Sequence, residues 1–159
     1  LVRRKPEEVV GLGVGADSAM LQRKADVVAA ALARWERAGA DDTTAGLLTA
    51  LGGPDVAVLT GVVLGAARAG AVVVLDGLAT SVAALLAVRA EPAVAAHLVA
   101  GQRSREKAHA AVLQRLGLEP LLDLRLRAGE GVGAVLAAQL LLTGLRTRAE
   151  AARTADVTR

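Results

Sequence analysis

Apolar residues recur at helical spacings between about residues 18 and 37, at Leu21, Val27, Val28, Ala31 and Leu32, with Asp17 or Ser18 as the cap. The polar stretch Gly39 to Thr44 follows, and Asp41 or Asp42 opens a short helix that runs through Leu51 until Gly52-Gly53-Pro54 breaks it. From Val56 to Ala69 small residues stand four apart, at Ala57, Gly61, Gly65 and Ala69, so one helical face is open to close packing. Ala71 to Leu75 is an unbroken apolar run, the pattern of a strand buried on both faces of a parallel sheet. Thr80 and Ser81 open a further helix to about Val88. Ala95 to Ala100 and Leu121 to Leu126 read as additional strands, and Ala134 to Leu142 as an apolar helix. The segment from Thr143 is helical and polar. Strands alternating with helices predict an α/β fold, a layered parallel, Rossmann-like sheet flanked by helices.

Composition sharpens this picture. Hydrophobic residues make up 53% of the 159 but aromatics only 1%, so Ala, Val and Leu must build the core around a single Trp35. A net charge of +3 without a basic cluster interleaved with aromatics gives no footprint for nucleic acid. The absence of cysteine excludes disulfides, thiolate metal sites and Cys nucleophiles, and fits a cytoplasmic protein. The first residues lack the apolar core of a secretory signal. Arg68 interrupts the most apolar window, Val56 to Leu75, and Asp76 follows it, so a buried helix and strand fit better than a membrane span. No metal ligand set or cofactor motif stands out; Asp41 and Asp42 are adjacent on a polar turn and read as caps.

Three places carry candidate chemistry. Gly11, Gly13 and Gly15 form a glycine-rich turn before a helix, where free backbone N–H groups and the helix dipole suit an anion; the same spacing also serves a plain structural turn, and it lacks the third-glycine spacing of a dinucleotide fingerprint. Lys24, one helical stretch on, is either a second phosphate ligand or a solvated helix residue. Asp76 and Gly77 lie at the carboxyl end of the first strand, where open α/β sheets bind ligands, and Asp76 is either a cap or a ribose-facing residue. Glu130 is a lone carboxylate between Gly129 and Gly131, with Gly133 beyond. In the first turn of the helix that follows, it would gain from the helix dipole. Helix capping is the plain reading of such a carboxylate, and general-base chemistry the sharper one.

Four ordered blocks resemble the nicotinate-nucleotide-dimethylbenzimidazole phosphoribosyltransferase (CobT) family. They are GLGVGADSAMLQRKADVVAAAL from Gly11, AVVVLDGLATSVAAL from Ala71, RSREKAH from Arg103 and LGLEPLLDLRLRAGEGVGAVLA from Leu116. The resemblance implies phosphoribosyl transfer from nicotinate mononucleotide to 5,6-dimethylbenzimidazole, with Glu130 as the general base and no cofactor or metal. It implies substrate or phosphate contacts at Gly11, Gly13, Gly15, Lys24, Asp76, Gly77, Ser104, Gly129 and Gly131; apolar surface left uncovered on Val56 to Ala69 and Ala134 to Leu142 predicts association, as a homodimer. Departures from the family pattern are Leu12 and Val14 in place of an Arg and a Thr, Gly101 and Gln102 in place of a Ser and a His, and Lys107 and Ala108 in place of a Pro-Gly pair. His109 matches the family, though by itself it reads as a polar helix residue; His97 has no motif around it.

The family's N-terminal half, with its benzimidazole pocket and phosphate motif, has no counterpart here. Residues 1–142 therefore read as the C-terminal part of the enzyme domain, incomplete relative to the full family fold, and 143–159 as a polar helix or tail. A truncated, non-catalytic half that binds a nucleotide phosphate or associates with a partner is the alternative.

Overall fold

The computed structural model describes residues 1, 4–11, 18–126 and 128–151. Its elements are α1 (Pro6–Val9), α2 (Ser18–Arg37), α3 (Thr44–Ala50), α4 (Pro54–Arg68), β1 (Val73–Leu75), α5 (Leu78–Ala90), a 3₁₀ turn (Pro92–His97), β2 (Leu98–Ala100), α6 (Lys107–Leu116) and α7 (Val132–Glu150). β1 and β2 pair in parallel, Val73 opposite Leu98 and Leu75 opposite Ala100. The chain is α/β with a parallel sheet, as its alternating pattern predicts.

The core follows from composition. Val63 and Ala67 of α4, Leu75 of β1, Ala84 and Ala87 of α5, Val94 and Leu98 form one buried cluster. Alanines on α5 let α4 and β1 approach closely, while each fully buried branched side chain such as Leu75 contributes roughly 1.5–3 kcal/mol. No helix among the described residues is long and apolar enough to cross a membrane.

Several boundaries depart from the sequence reading, each for a local reason. The first strand is shorter than Ala71 to Leu75, because the Ala71 amide still bonds back to the Ala66 carbonyl at 2.9 Å, closing the end of α4. Of the expected strand Ala95 to Ala100, the first half is the 3₁₀ turn that Pro92 initiates. The expected strand Leu121 to Leu126 reduces to one parallel bridge between Gln102 and Leu122. It cannot continue, because Arg125 has a left-handed φ of 52°. α5 starts at Leu78 rather than at Thr80: Thr80 Oγ1 accepts from the Asp76 and Gly77 amides at 3.0 and 3.1 Å. α3 is capped by Thr43, whose Oγ1 accepts from the Gly46 amide at 3.0 Å, while Asp41 supports the turn by accepting from the Thr43 amide. α7 runs unbroken from the apolar stretch through the polar one to Glu150.

Candidate active site

The carboxyl edge of the sheet gathers most of the candidate residues. Beyond β1 the chain passes through Asp76 and Gly77 into α5; beyond β2 it passes through residues 101–106 into α6. The ladder extends past the strands, with the Gly101 amide donating to the Leu75 carbonyl at 2.8 Å and the Leu122 amide to the Gly101 carbonyl at 3.1 Å. Gly101 is forced by this closeness: a Cβ there would lie 2.7 Å from the Leu75 carbonyl oxygen and 3.2 Å from Ala134 Cα. Ser104 stands across from Gly77, where a Cβ on Gly77 would be in ordinary contact with Ser104 Cβ at 3.7 Å.

Asp76 ties this edge to α7. Its Oδ1 accepts from the Ala134 amide at 3.1 Å and from Gln102 Nε2 at 3.0 Å. Gly131 is the N-cap residue of α7, so Ala134 is its third helical residue and Asp76 satisfies one of the amides a helix start leaves open. Asp76 is therefore a cap, but of a helix distant in sequence, since Thr80 serves its own helix. Gln102 is buried against Gly133, where a Cβ would overlap its Cγ and Cδ as they stand. Gly101 and Gln102, departures from the family pattern, are thus packed members of this junction.

Glu130 projects from the turn that this junction anchors. The Val132 amide donates to the Gly129 carbonyl at 3.3 Å, and both central residues are left-handed, Glu130 at φ 60° and Gly131 at φ 84°. For a residue with a Cβ that conformation costs roughly 1–2 kcal/mol, a strain that tends to collect at functional positions. Glu130 lies just before α7 rather than within its first turn, and its side chain is exposed. Leu124, six residues before it, is exposed as well. Gly129 and Gly131 flank Glu130, and no described residue lies within 4 Å of where a Cβ on either would stand.

The glycine turn is described only at its start. Gly11 accepts a hydrogen bond from Lys24 Nζ at 3.4 Å on its carbonyl, and a Cβ on it would touch Glu106 Oε2 at 3.0 Å. The turn therefore begins beside the segment that carries Ser104, with Lys24 folded back over it. Gly13 and Gly15 fall outside the described residues.

The sequence marks Ser81 only as part of a helix start, and His109 by itself only as a polar helix residue. His109 is 1% exposed, its Nε2 3.0 Å from Ser81 Oγ and its Nδ1 accepting from the Ser104 amide at 3.0 Å. Burial lowers its pKa from the ordinary 6.5, the Asp76 charge opposing and the Arg103 charge reinforcing the shift. No local pattern marks such a residue, because Ser81 is 28 residues away.

Comparison with known proteins places these features in a wider set. A phosphoribosyltransferase family model, DBI_PRT, matches residues 1–158. The nicotinate-nucleotide-dimethylbenzimidazole phosphoribosyltransferase of Chloroflexus aurantiacus is 45% identical over 137 residues, which cover 86% of this chain and 38% of that protein. That of Salinispora tropica is 45% identical over 147 residues, 92% of this chain and 40% of the relative. The solved structure of the Thermus thermophilus enzyme of the same name is similar to this fold with a TM-score of 0.84 at 40% identity, over 97% of this chain and 44% of that one. The chain thus spans about two fifths of the length of the relatives it matches.

Proposed function

The chain belongs to this phosphoribosyltransferase family, and on that footing we propose that its residues serve phosphoribosyl transfer from nicotinate mononucleotide to 5,6-dimethylbenzimidazole, giving α-ribazole 5′-phosphate and nicotinate in cobalamin assembly. The observation that carries the reading is the Glu130 turn, pinned through Ala134 and Asp76 to the carboxyl edge of the sheet, where open α/β sheets bind their ligands.

The chemistry asks little of the protein beyond position, charge and one proton acceptor. The unprotonated nitrogen of the benzimidazole attacks the anomeric carbon, the bond to the nicotinate nitrogen breaks, and its electron pair neutralises the pyridinium ring. The proton on the other benzimidazole nitrogen passes to the Glu130 carboxylate. Attack on the face opposite the leaving group inverts the sugar, so a β donor gives an α product. Glu130 is exposed, so the bound apolar ring supplies the cover that raises a carboxylate's proton affinity. Gly129 and Gly131 leave room for that ring beside the main chain.

The phosphate is assigned to backbone N–H groups of the Gly11, Gly13 and Gly15 turn and to Lys24, with Gly77 and Ser104 bordering the sugar. Asp76 acts on the substrate side through α7 as well as through its second carboxylate oxygen. Both substrates are small molecules, and neither nucleic acid nor a membrane enters the reaction. A cytoplasmic homodimer completes the proposal. Because the 159 residues span about two fifths of the relatives, little or no turnover is expected of them alone.

The phosphate assignment is tested by calorimetry with nicotinate mononucleotide and with nicotinate. Lys24→Ala should weaken the nucleotide by roughly ten- to a hundredfold, the worth of one charge-assisted hydrogen bond, and leave nicotinate unchanged. Equal effects on both, or none, would remove Lys24 from the phosphate site.

A further inference from the structure

Among the described residues, His109 is the one fully buried titratable side chain, and the reaction above does not use it. We propose that it is a positioning residue: gripped by Ser81 on one ring nitrogen and by the Ser104 amide on the other, it fixes the turn between β2 and α6 so that Ser104 stands against Gly77 at the carboxyl edge of the sheet. That Ser104 borders a substrate rests on the function proposed above; that His109 places Ser104 does not.

The hydrogen bonds determine the state of the ring. A backbone N–H can only donate, so Nδ1, 3.0 Å from the Ser104 nitrogen, must carry a lone pair. The neutral ring then bears its proton on Nε2 and donates it to Ser81 Oγ at 3.0 Å. Both partners are themselves held. Ser81 is fully buried in α5, and Ser104 Oγ accepts from the Glu106 amide at 3.2 Å, closing the turn on itself. The His109 amide in turn donates to the Glu106 carbonyl at 3.0 Å, so ring and main chain of one residue brace the same turn.

A second proton would have to enter at Nδ1, where it would meet the Ser104 N–H donor to donor. The charges acting on the ring are those of Asp76, beyond β1, and Arg103, in the turn itself. α5 faces it with the uncharged Ser81, and on the α1 side Arg4 and Glu8 line the surface over Ala108 and Ala111. Asp76 alone would favour the charged ring, and burial outweighs it. Position and protonation state are therefore coupled: the turn holds while the ring is neutral and loses its anchor when the ring charges.

Amide exchange and ring nitrogen spectra of the 159-residue chain test this without any substrate, so its failure is separate from failure of the proposed reaction. Asn carries an acceptor where Nδ1 stands, and Leu carries none. Exchange at Ser104 should stay slow in His109→Asn and become roughly tenfold faster in His109→Leu, the worth of one lost hydrogen bond. Equal exchange at Ser104 in the two variants would overturn the proposal. Should the variants not fold, the unaltered chain decides. A scalar coupling between the Ser104 amide and Nδ1, vanishing together with Ser104 protection as the ring is protonated, supports it. A ring that carries its proton on Nδ1, or titrates without moving the Ser104 amide, contradicts it.

Discussion

Asp76 accepts the amide of Ala134 at 3.1 Å across 58 residues of sequence, so the carboxylate that ends the first strand begins the last helix. Through that bond the turn bearing Glu130 inherits the position of the sheet. Replacing Asp76 by Ala leaves the Ala134 amide and the Gln102 side-chain amide without their acceptor. The expected loss in urea unfolding is about 1–3 kcal/mol, and Asp76→Asn, which keeps one acceptor oxygen, should lose less. Equal stability of Asp76→Ala and the unaltered chain would show that α7 is held by packing alone.

Gly101 makes a second mechanical prediction. A methyl at this position meets the Leu75 carbonyl 2.7 Å away, and that carbonyl is fixed by the ladder. Gly101→Ala should therefore cost about 1–3 kcal/mol, the usual penalty of overpacking a closed site. Thermal unfolding reads it directly, and an unchanged midpoint would mean that the ladder beside Gly101 yields freely.

Stability should also depend on His109. In the folded chain burial holds its pKa below the ordinary 6.5, so the unfolded chain binds the proton more readily. The stabilisation is then complete above 6.5 and is lost as pH falls through the lowered folded value. Unfolding free energy should decline below 6.5 before the carboxylates titrate, and His109→Asn should flatten that decline. Parallel pH profiles for the two proteins would contradict the shift.

α7 presents a largely uncovered apolar surface, with Val135 62% and Leu145 60% exposed and Leu140 exposed between them. Val58 and Val62 do the same on α4. Surfaces of this kind drive association. The isolated chain should dimerise or aggregate with concentration in light scattering, and Val135→Lys with Leu145→Lys should reduce it. A clean monomer over the concentration series would remove the homodimer from the proposal.

Much of this architecture was legible locally. The run Ala71 to Leu75 before Asp76 announced a strand, of which Val73 to Leu75 forms one, and three glycines around Glu130 announced an unusual turn. What could not be read were the partners. An apolar stretch such as Leu121 to Leu126 looks like a strand whether or not a neighbour exists along its length, and here only Leu122 bridges. Asp76 looked equally like a cap of its own helix or a ligand, because nothing near it in sequence reveals Ala134. Gly133 must be small where the Gln102 side chain lies against it, a condition visible only once α7 lies against the sheet.

Glu130 as the proton acceptor is the central claim, and turnover of Glu130→Gln tests it most directly, in a full-length family enzyme that carries these 159 residues. The amide keeps the shape of the side chain and cannot take the benzimidazole proton. Formation of α-ribazole 5′-phosphate should fall by roughly 10²–10⁴, the contribution typical of a general base, with nicotinate mononucleotide binding retained. Unchanged turnover in that variant would take Glu130 out of the mechanism.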